Sequence, residues 1–300
     1  AWFSLGIVNQ RLDHFDRAAK DFQKAAGIFD NLLEVVPTKT GVQLLAANNF
    51  VKMGSIALQQ GRWTPSQKYL DAAIRSYQQL IETPQPLDEA FFGLSRCYKL
   101  RGDWERLHGN PRGYRQYLEA SYRELEQIIE TPQHKATLKT IKPLVETCRD
   151  LGNSYVESKD LKTAALWYEK AFLSSGRIAS MSDPTGAYDA LRADVLVKWA
   201  NAIADLRQYE KASTKCKTAL KIWHLICEQH PENQDYEAQH GVAVILMGQI
   251  LIKSRKPEEA VTYLNQAKTI FSKLIREQPG DAQFSTELER VLRLLQQLEN

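Results

Sequence analysis

The chain has 300 residues, 43% of them hydrophobic and 25% charged, which is the profile of a globular domain rather than a fibrous or disordered one. Its net charge of +3 comes without a dense Lys/Arg block, which argues against general nucleic-acid binding, a task that needs a concentrated basic face. The most apolar run, GVAVILMGQILI, is too short and too interrupted to cross a bilayer, so no membrane segment is expected.

The chain opens at AWFSLG, without Met and already inside a helical pattern, and is read as part of a longer protein. From there a two-block unit repeats. Apolar runs end in a proline at Pro37, Pro84, Pro132, Pro184, Pro231 and Pro279, with successive spacings of 47, 48, 52, 47 and 48. The pentapeptide IETPQ occurs at Ile81–Gln85 and again at Ile129–Gln133, and the segments ending at Pro84 and Pro132 align closely. The predicted units are 1–37, 38–84, 85–132, 133–184, 185–231 and 232–279, followed by 280–300.

Within each unit, apolar residues three and four apart mark one face of a helix. The first block of unit one carries Trp2, Leu5 and Gly6, and the second Ala18, Phe22 and Ala25. Unit four has Leu151, Gly152 and Tyr155, then Ala164, Tyr168 and Ala171; unit six has Met247, Gly248 and Leu251, then Ala260, Leu264 and Ala267. Unit five keeps the spacing with Trp199, Ala200, Ile203, Ala212, Cys216 and Ala219, and unit two has Phe50, Met53, Gly54, Leu70 and Ala73. Unit three is read as degenerate, with Phe91, Leu94, Ser95 and Tyr98, then Leu118 and Ser121. Short polar stretches such as RLDHFD and KSRKPE join the blocks, so each unit is a helical hairpin that the proline terminates.

The W-x2-L-G-x2-Y…A-x3-F-x2-A spacing, in six copies over nearly the whole chain, resembles the tetratricopeptide repeat. The family period is about 34 residues, so these units are long. The extra length falls mainly in the second helix, as in AAGIFDNLLEVVP. Long units of this kind also resemble repeat regions attached to bacterial Ser/Thr protein kinases. The resemblance implies an all-α, right-handed superhelical solenoid of about six long hairpins plus a C-terminal capping helix, with the first helix of each hairpin lining a concave groove.

Three places interrupt the pattern. ERLHGNPRGYR, residues 105–115, is expected to lengthen the turn of the third hairpin, whose first helix is expected to be short. SSGRIASMSDPTG, residues 174–186, reads as an insertion after the fourth hairpin, and Pro143 as a kink or a helix start. The final stretch places Leu288, Val291, Leu292 and Leu295 on one stripe and reads as a helix capping the array.

Residues able to do chemistry are sparse. Phosphate-binding, zinc-protease, nucleophile-elbow and kinase motifs are absent, so neither an enzyme nor a cofactor site is expected, and any kinase domain lies outside this sequence. HLICEQH brings His224, Cys227, Glu228 and His230 near one helix face, but Cys216, Ala219, Leu220, Trp223 and Cys227 form a continuous core stripe, so no metal site is expected. Cys97, Cys148, Cys216 and Cys227 sit in apolar helical stretches with no CxxC, as in a reducing, cytoplasmic compartment.

If the resemblance holds, the position after each small residue faces the groove. It holds Ile7, Ser55, Arg96, Asn153, Asn201 and Gln249, the last three 48 apart. A carboxamide both donates and accepts, so such a ladder suits the backbone of an extended peptide. Arg149 and Lys198 lie one turn before Asn153 and Asn201, a partial likeness to the carboxylate clamp of chaperone-binding repeats. The expectation is a scaffold that binds a protein or peptide; the alternative is a module that self-associates without a peptide ligand.

Overall fold

A computed structural model describes residues 1–84, 86–130, 137–177 and 183–299. The described residues are all-α, with no strand, in thirteen helices. The chain divides into two compact units, Ala1–Thr147 and Cys148–Asn300.

Unit 1 contains α1 (Trp2–Arg11), α2 (Phe15–Val35), α3 (Thr40–Gln59), α4 (Trp63–Ile81), α5 (Asp88–Leu107), α6 (Pro111–Glu130) and the first half of α7 (Leu138–Glu157). Unit 2 contains the rest of α7, then α8 (Leu161–Gly176), α9 (Ala187–Asp205), α10 (Tyr209–Gln229), α11 (Gln234–Lys253), α12 (Pro257–Glu277) and α13 (Ala282–Glu299). Within each unit consecutive helices pack as hairpins, and neighbouring hairpins stack through the second helix of the earlier one, as α2 does on α3, α4 on α5, α8 on α9 and α10 on α11.

Six turns connect the helices of the hairpins, and each is three residues long: 12–14, 60–62, 108–110, 158–160, 206–208 and 254–256. Their middle residues, Asp13, Gly61, Gly109, Lys159, Arg207 and Arg255, all have positive φ, from 57° to 72°. The third residue of each turn donates its N–H back across the bend, as from His14 to the Asn9 carbonyl and from Lys256 to that of Leu251, at 2.9 Å in both. This left-handed cap satisfies the last carbonyls of the first helix and reverses the chain. At the far ends, Val36, His230 and Gln278 are extended, with φ between −128° and −132°, as the following prolines demand.

Turn positions step by 48, 48, 50, 48 and 48, a stricter register than the prolines show. The third hairpin carries no insertion: α5 runs 20 residues, as long as α3, and its turn is His108–Asn110. In this register the small residue of the third unit is Gly102, not Ser95, and the residue after it is Asp103, not Arg96. Pro184 stops no helix, since α8 ends at Gly176; Pro132 lies outside the described residues. Pro143 lies within α7 and does not start it.

The core of each hairpin follows from the small residues. A methyl added at Gly6 would meet Phe22 at 2.8 Å, one at Gly54 would meet Leu70 at 2.8 Å, and one at Gly152 would meet Tyr168 at 2.5 Å. Each facing side chain is sixteen residues later and is fully or nearly fully buried. Where the small residue does carry a methyl, at Ala200, the matching position holds the smaller Cys216. Volume lost on one helix is recovered on its partner, as close packing requires. Residues 183–186 of the expected insertion are pinned at the start of α9. Asp183 accepts from the Tyr188 N–H at 2.7 Å, and the Tyr236 hydroxyl donates to the Thr185 carbonyl at 2.9 Å; residues 178–182 lie outside the described residues. α13 buries Phe284 and Val291 against α12 and α11.

Candidate functional site

The face predicted to receive a partner is built from first helices of the hairpins. In unit 2 it comprises the end of α7, with α9 and α11. Asn153 is half-buried, and its Oδ1 accepts from the Tyr168 hydroxyl at 2.8 Å, which leaves its NH2 to donate elsewhere. Burial pushes the Tyr168 hydroxyl well above its ordinary range, so it stays a donor. Asn201 is exposed, one turn before the C-terminal end of α9. Gln249 is half-buried, and its Oε1 accepts from Arg290 of α13 at 3.0 Å, so the last helix already uses part of the third carboxamide.

The two cations beside this ladder are not free. Arg149 lies 3.0 Å from Asp150 and 3.6 Å from Asp194, and Lys198 lies 3.6 Å from the same Asp194. Asp194, Lys198 and Asn201 are spaced four and three apart, so they share one stripe of α9. The charges of this stripe largely cancel. That sets it apart from a carboxylate clamp, whose cations must be available to the ligand.

In unit 1 the candidates part company. Ser55 is buried, with 9% exposure, because α3 turns it inward beside Gly54 and Ile56. Arg96 is exposed, but two turns earlier on α5 than the position equivalent to Asn153, which Asp103 occupies. Arg96 instead acts on Lys52. Burial, then Arg96, then Arg11 lower the Lys52 amine to about 8. Ile7 is half-buried and packs against the Phe22 core.

The sequence pattern missed a polar knot in the third hairpin. Arg101 takes the place that Leu5, Met53, Leu151, Trp199 and Met247 hold in the other units, and is 5% exposed. Its guanidinium reaches Asp71 at 3.2 Å and Glu105 at 2.7 Å, and stacks over the Trp104 ring at 4.3 Å. Asn110 donates to the other Glu105 oxygen at 2.7 Å. The displaced glycine register hid it; a strict 48-residue step from Met53 would have found it.

Among the described residues no three His, Cys, Asp or Glu side chains are grouped to hold a metal. His224 lies 3.3 Å from Glu228, on an exposed turn of α10. All four cysteines are free thiols; burial pushes Cys216 up to about 12 and Cys227 up to about 11, which keeps both protonated and unreactive. No described helix is long and apolar enough to cross a membrane.

Comparison with known proteins agrees with this architecture. Residues 243–273, from mid-α11 into α12, match the tetratricopeptide repeat family model. The chain thus has the fold of an all-α helical-repeat protein and contains a tetratricopeptide repeat. No curated protein matches it in sequence. Among solved structures, it is similar to the nuclear import adaptor Nro1 of S. pombe, with 13% identity, a TM-score of 0.66 and 96% of each chain covered. It is also similar to BtubC from P. vanneervenii, with 12% identity, a TM-score of 0.62, and 87% of this chain and 92% of that one covered. The apo form of RapI shares 14% identity at a TM-score of 0.54, with 99% and 97% covered.

Proposed function

We propose that the chain is a non-enzymatic protein-interaction scaffold, and that the face of unit 2 bearing Asn153, Asn201 and Gln249 receives an extended peptide. The observation that carries this reading is Asn201. Its carboxamide is exposed on a stripe whose charges, Asp194 and Lys198, are already paired. A neutral donor–acceptor group on such a surface suits the peptide backbone, which offers both partners, better than it suits a charged side chain. The Asn153 NH2 extends the row by one hairpin, and Arg290 braces Gln249 at its other end. An adaptor of similar architecture supports the role. The long units and free thiols also favour the repeat region of a larger, kinase-linked bacterial protein working in the cytoplasm.

The test begins with a pull-down using this chain as bait, with the captured partner identified by mass spectrometry. The triple variant Asn153→Ala/Asn201→Ala/Gln249→Ala should bind the purified partner at least about tenfold more weakly, or about 1.4 kcal/mol. That is the loss expected from one or two net hydrogen bonds. Unchanged affinity with helicity intact overturns the groove model.

A further inference from the structure

A cleft of about 840 Å³ opens in unit 2 between the turn joining α9 to α10 and the turn joining α11 to α12. Arg207, Lys211, Lys217, Lys253, Arg255 and Lys256 line it, against one acid, Glu210. Lys253 is held by Asp205 at 2.8 Å and Lys256 by Glu259 at 3.5 Å. Arg207, Lys211, Lys217 and Arg255 are exposed and have no ion pair among the described residues. This is a concentration of positive charge that the chain's small net charge conceals.

The two arginines are held there at a conformational cost. Arg207 and Arg255 are the middle residues of their turns, at φ 61° and 62°. The same position is glycine in the second and third hairpins, Gly61 and Gly109, and Asp13 and Lys159 in the first and fourth, so a side chain there is tolerated in four of the six turns and is arginine only at this cleft. A left-handed non-glycine residue costs about 1–2 kcal/mol. Both side chains are exposed, so core packing does not offset that cost. What they do is extend guanidinium groups into the cleft.

A second cleft, of about 590 Å³, lies on the other flank of α10 and shares Gln208, Lys211 and Thr214 with the first. Its lining is mixed: Leu166, 59% exposed, Leu206 and the edges of the buried Trp199 and Ile203 supply apolar surface, and Lys162, Lys211 and Lys215 outnumber the one acid, Glu169. Lys215 sits over the Trp199 ring at 4.0 Å and extends the positive character to this side. Trp199 and Asn201 are two residues apart, so they project about 200° apart around α9. The clefts are therefore on the opposite side of that helix from the carboxamide row.

We propose that the two adjoining clefts form a second docking site, for an acidic peptide segment of a partner protein that also bears an apolar side chain. Its carboxylates enter the basic cleft, and its apolar group packs on Leu166 and Leu206. The apolar half favours a peptide over a nucleic acid, which would meet cations along its whole backbone.

The probes are short fluorescein-labelled peptides read by anisotropy: one of glutamates around leucines, one with lysine for each glutamate, one with serine for each leucine, and a single-stranded oligonucleotide as competitor. The glutamate–leucine peptide should bind, more weakly as salt rises, and each replacement should weaken it by about tenfold or more. Arg207→Gly/Arg255→Gly should lose about tenfold in affinity while its thermal midpoint rises, because glycine fits the left-handed turn. A purely structural role for the arginines predicts no loss. Lys211→Glu should weaken binding without that rise, and Asn201→Ala should leave it unchanged. Absence of binding, equal binding of the lysine peptide, undiminished binding to the glycine variant, or tighter binding of the oligonucleotide at the same residues overturns the proposal. Each of those outcomes leaves the carboxamide row untouched, since that row is tested with a different ligand and different variants.

Discussion

The small residues of the first helices set how closely each hairpin closes. Gly152 has Tyr168 2.5 Å from where a methyl would stand, and the buried ring cannot withdraw. Gly152→Ala should therefore destabilise the fold by about 1–3 kcal/mol, the usual cost of overpacking. Gly27 provides the contrast: it lies inside α2 with nothing within 4 Å of an added methyl and no positive φ. Gly27→Ala should stabilise by about 0.5–1 kcal/mol, through the reduced entropy of the unfolded chain. Urea titration of both variants reads the opposite signs, and equal signs would refute the assignment of Gly152 as a contact glycine.

At the scale of the element, the third hairpin is the exception that tests the rules of the rest. Arg101 links α4, through Asp71, to Glu105 on its own helix and to the α6 ring of Tyr117, 5.2 Å away. Breaking a buried pair leaves a desolvated charge, whereas replacing the whole pair with apolar groups is often neutral or better. Arg101→Met alone should cost about 3–5 kcal/mol, because the largely buried Glu105 carboxylate loses its cation and keeps only the neutral Asn110 donor. Adding Glu105→Ala should restore most of the loss, since methionine and alanine fill these positions in the second unit as Met53 and Ala57. Chemical denaturation of the single and double variants measures the recovery; if there is none, the knot contributes something beyond charge pairing.

Across the whole molecule, stability in a stacked array comes from each hairpin and its nearest neighbours. α1 buries only Gly6, while α11 is buried along most of Ala238–Leu251 between α10, α12 and α13. Amide hydrogen exchange followed by mass spectrometry should thus find α1 exchanging fastest among the hairpin helices and α11 slowest. Slow exchange throughout α1 would mean that something other than the described neighbours covers it.

By itself the sequence determined the hairpin as the unit, the period near 48, the all-α fold and the chain-stopping role of Pro37, Pro231 and Pro279. These rest on local rules: helical spacing of apolar residues, the clash of proline with the preceding turn, and the need of close helices for small side chains. Asn153, Asn201 and Gln249 followed from that register alone. Only the tertiary structure decided which of them is open. Tyr168 and Arg290 approach from fifteen and forty-one residues away, and nothing local to a carboxamide announces them. It also showed that α5 faces α6 at two small residues, Ser95 against Ser121 and Gly102 against Tyr114 and Tyr117, of which only Gly102 keeps the 48-residue step from Gly54. The basic cleft was hidden for the same reason. Its cations lie in two turns 48 residues apart and in the adjoining ends of α10 and α11, and stacking of the hairpins is what gathers them.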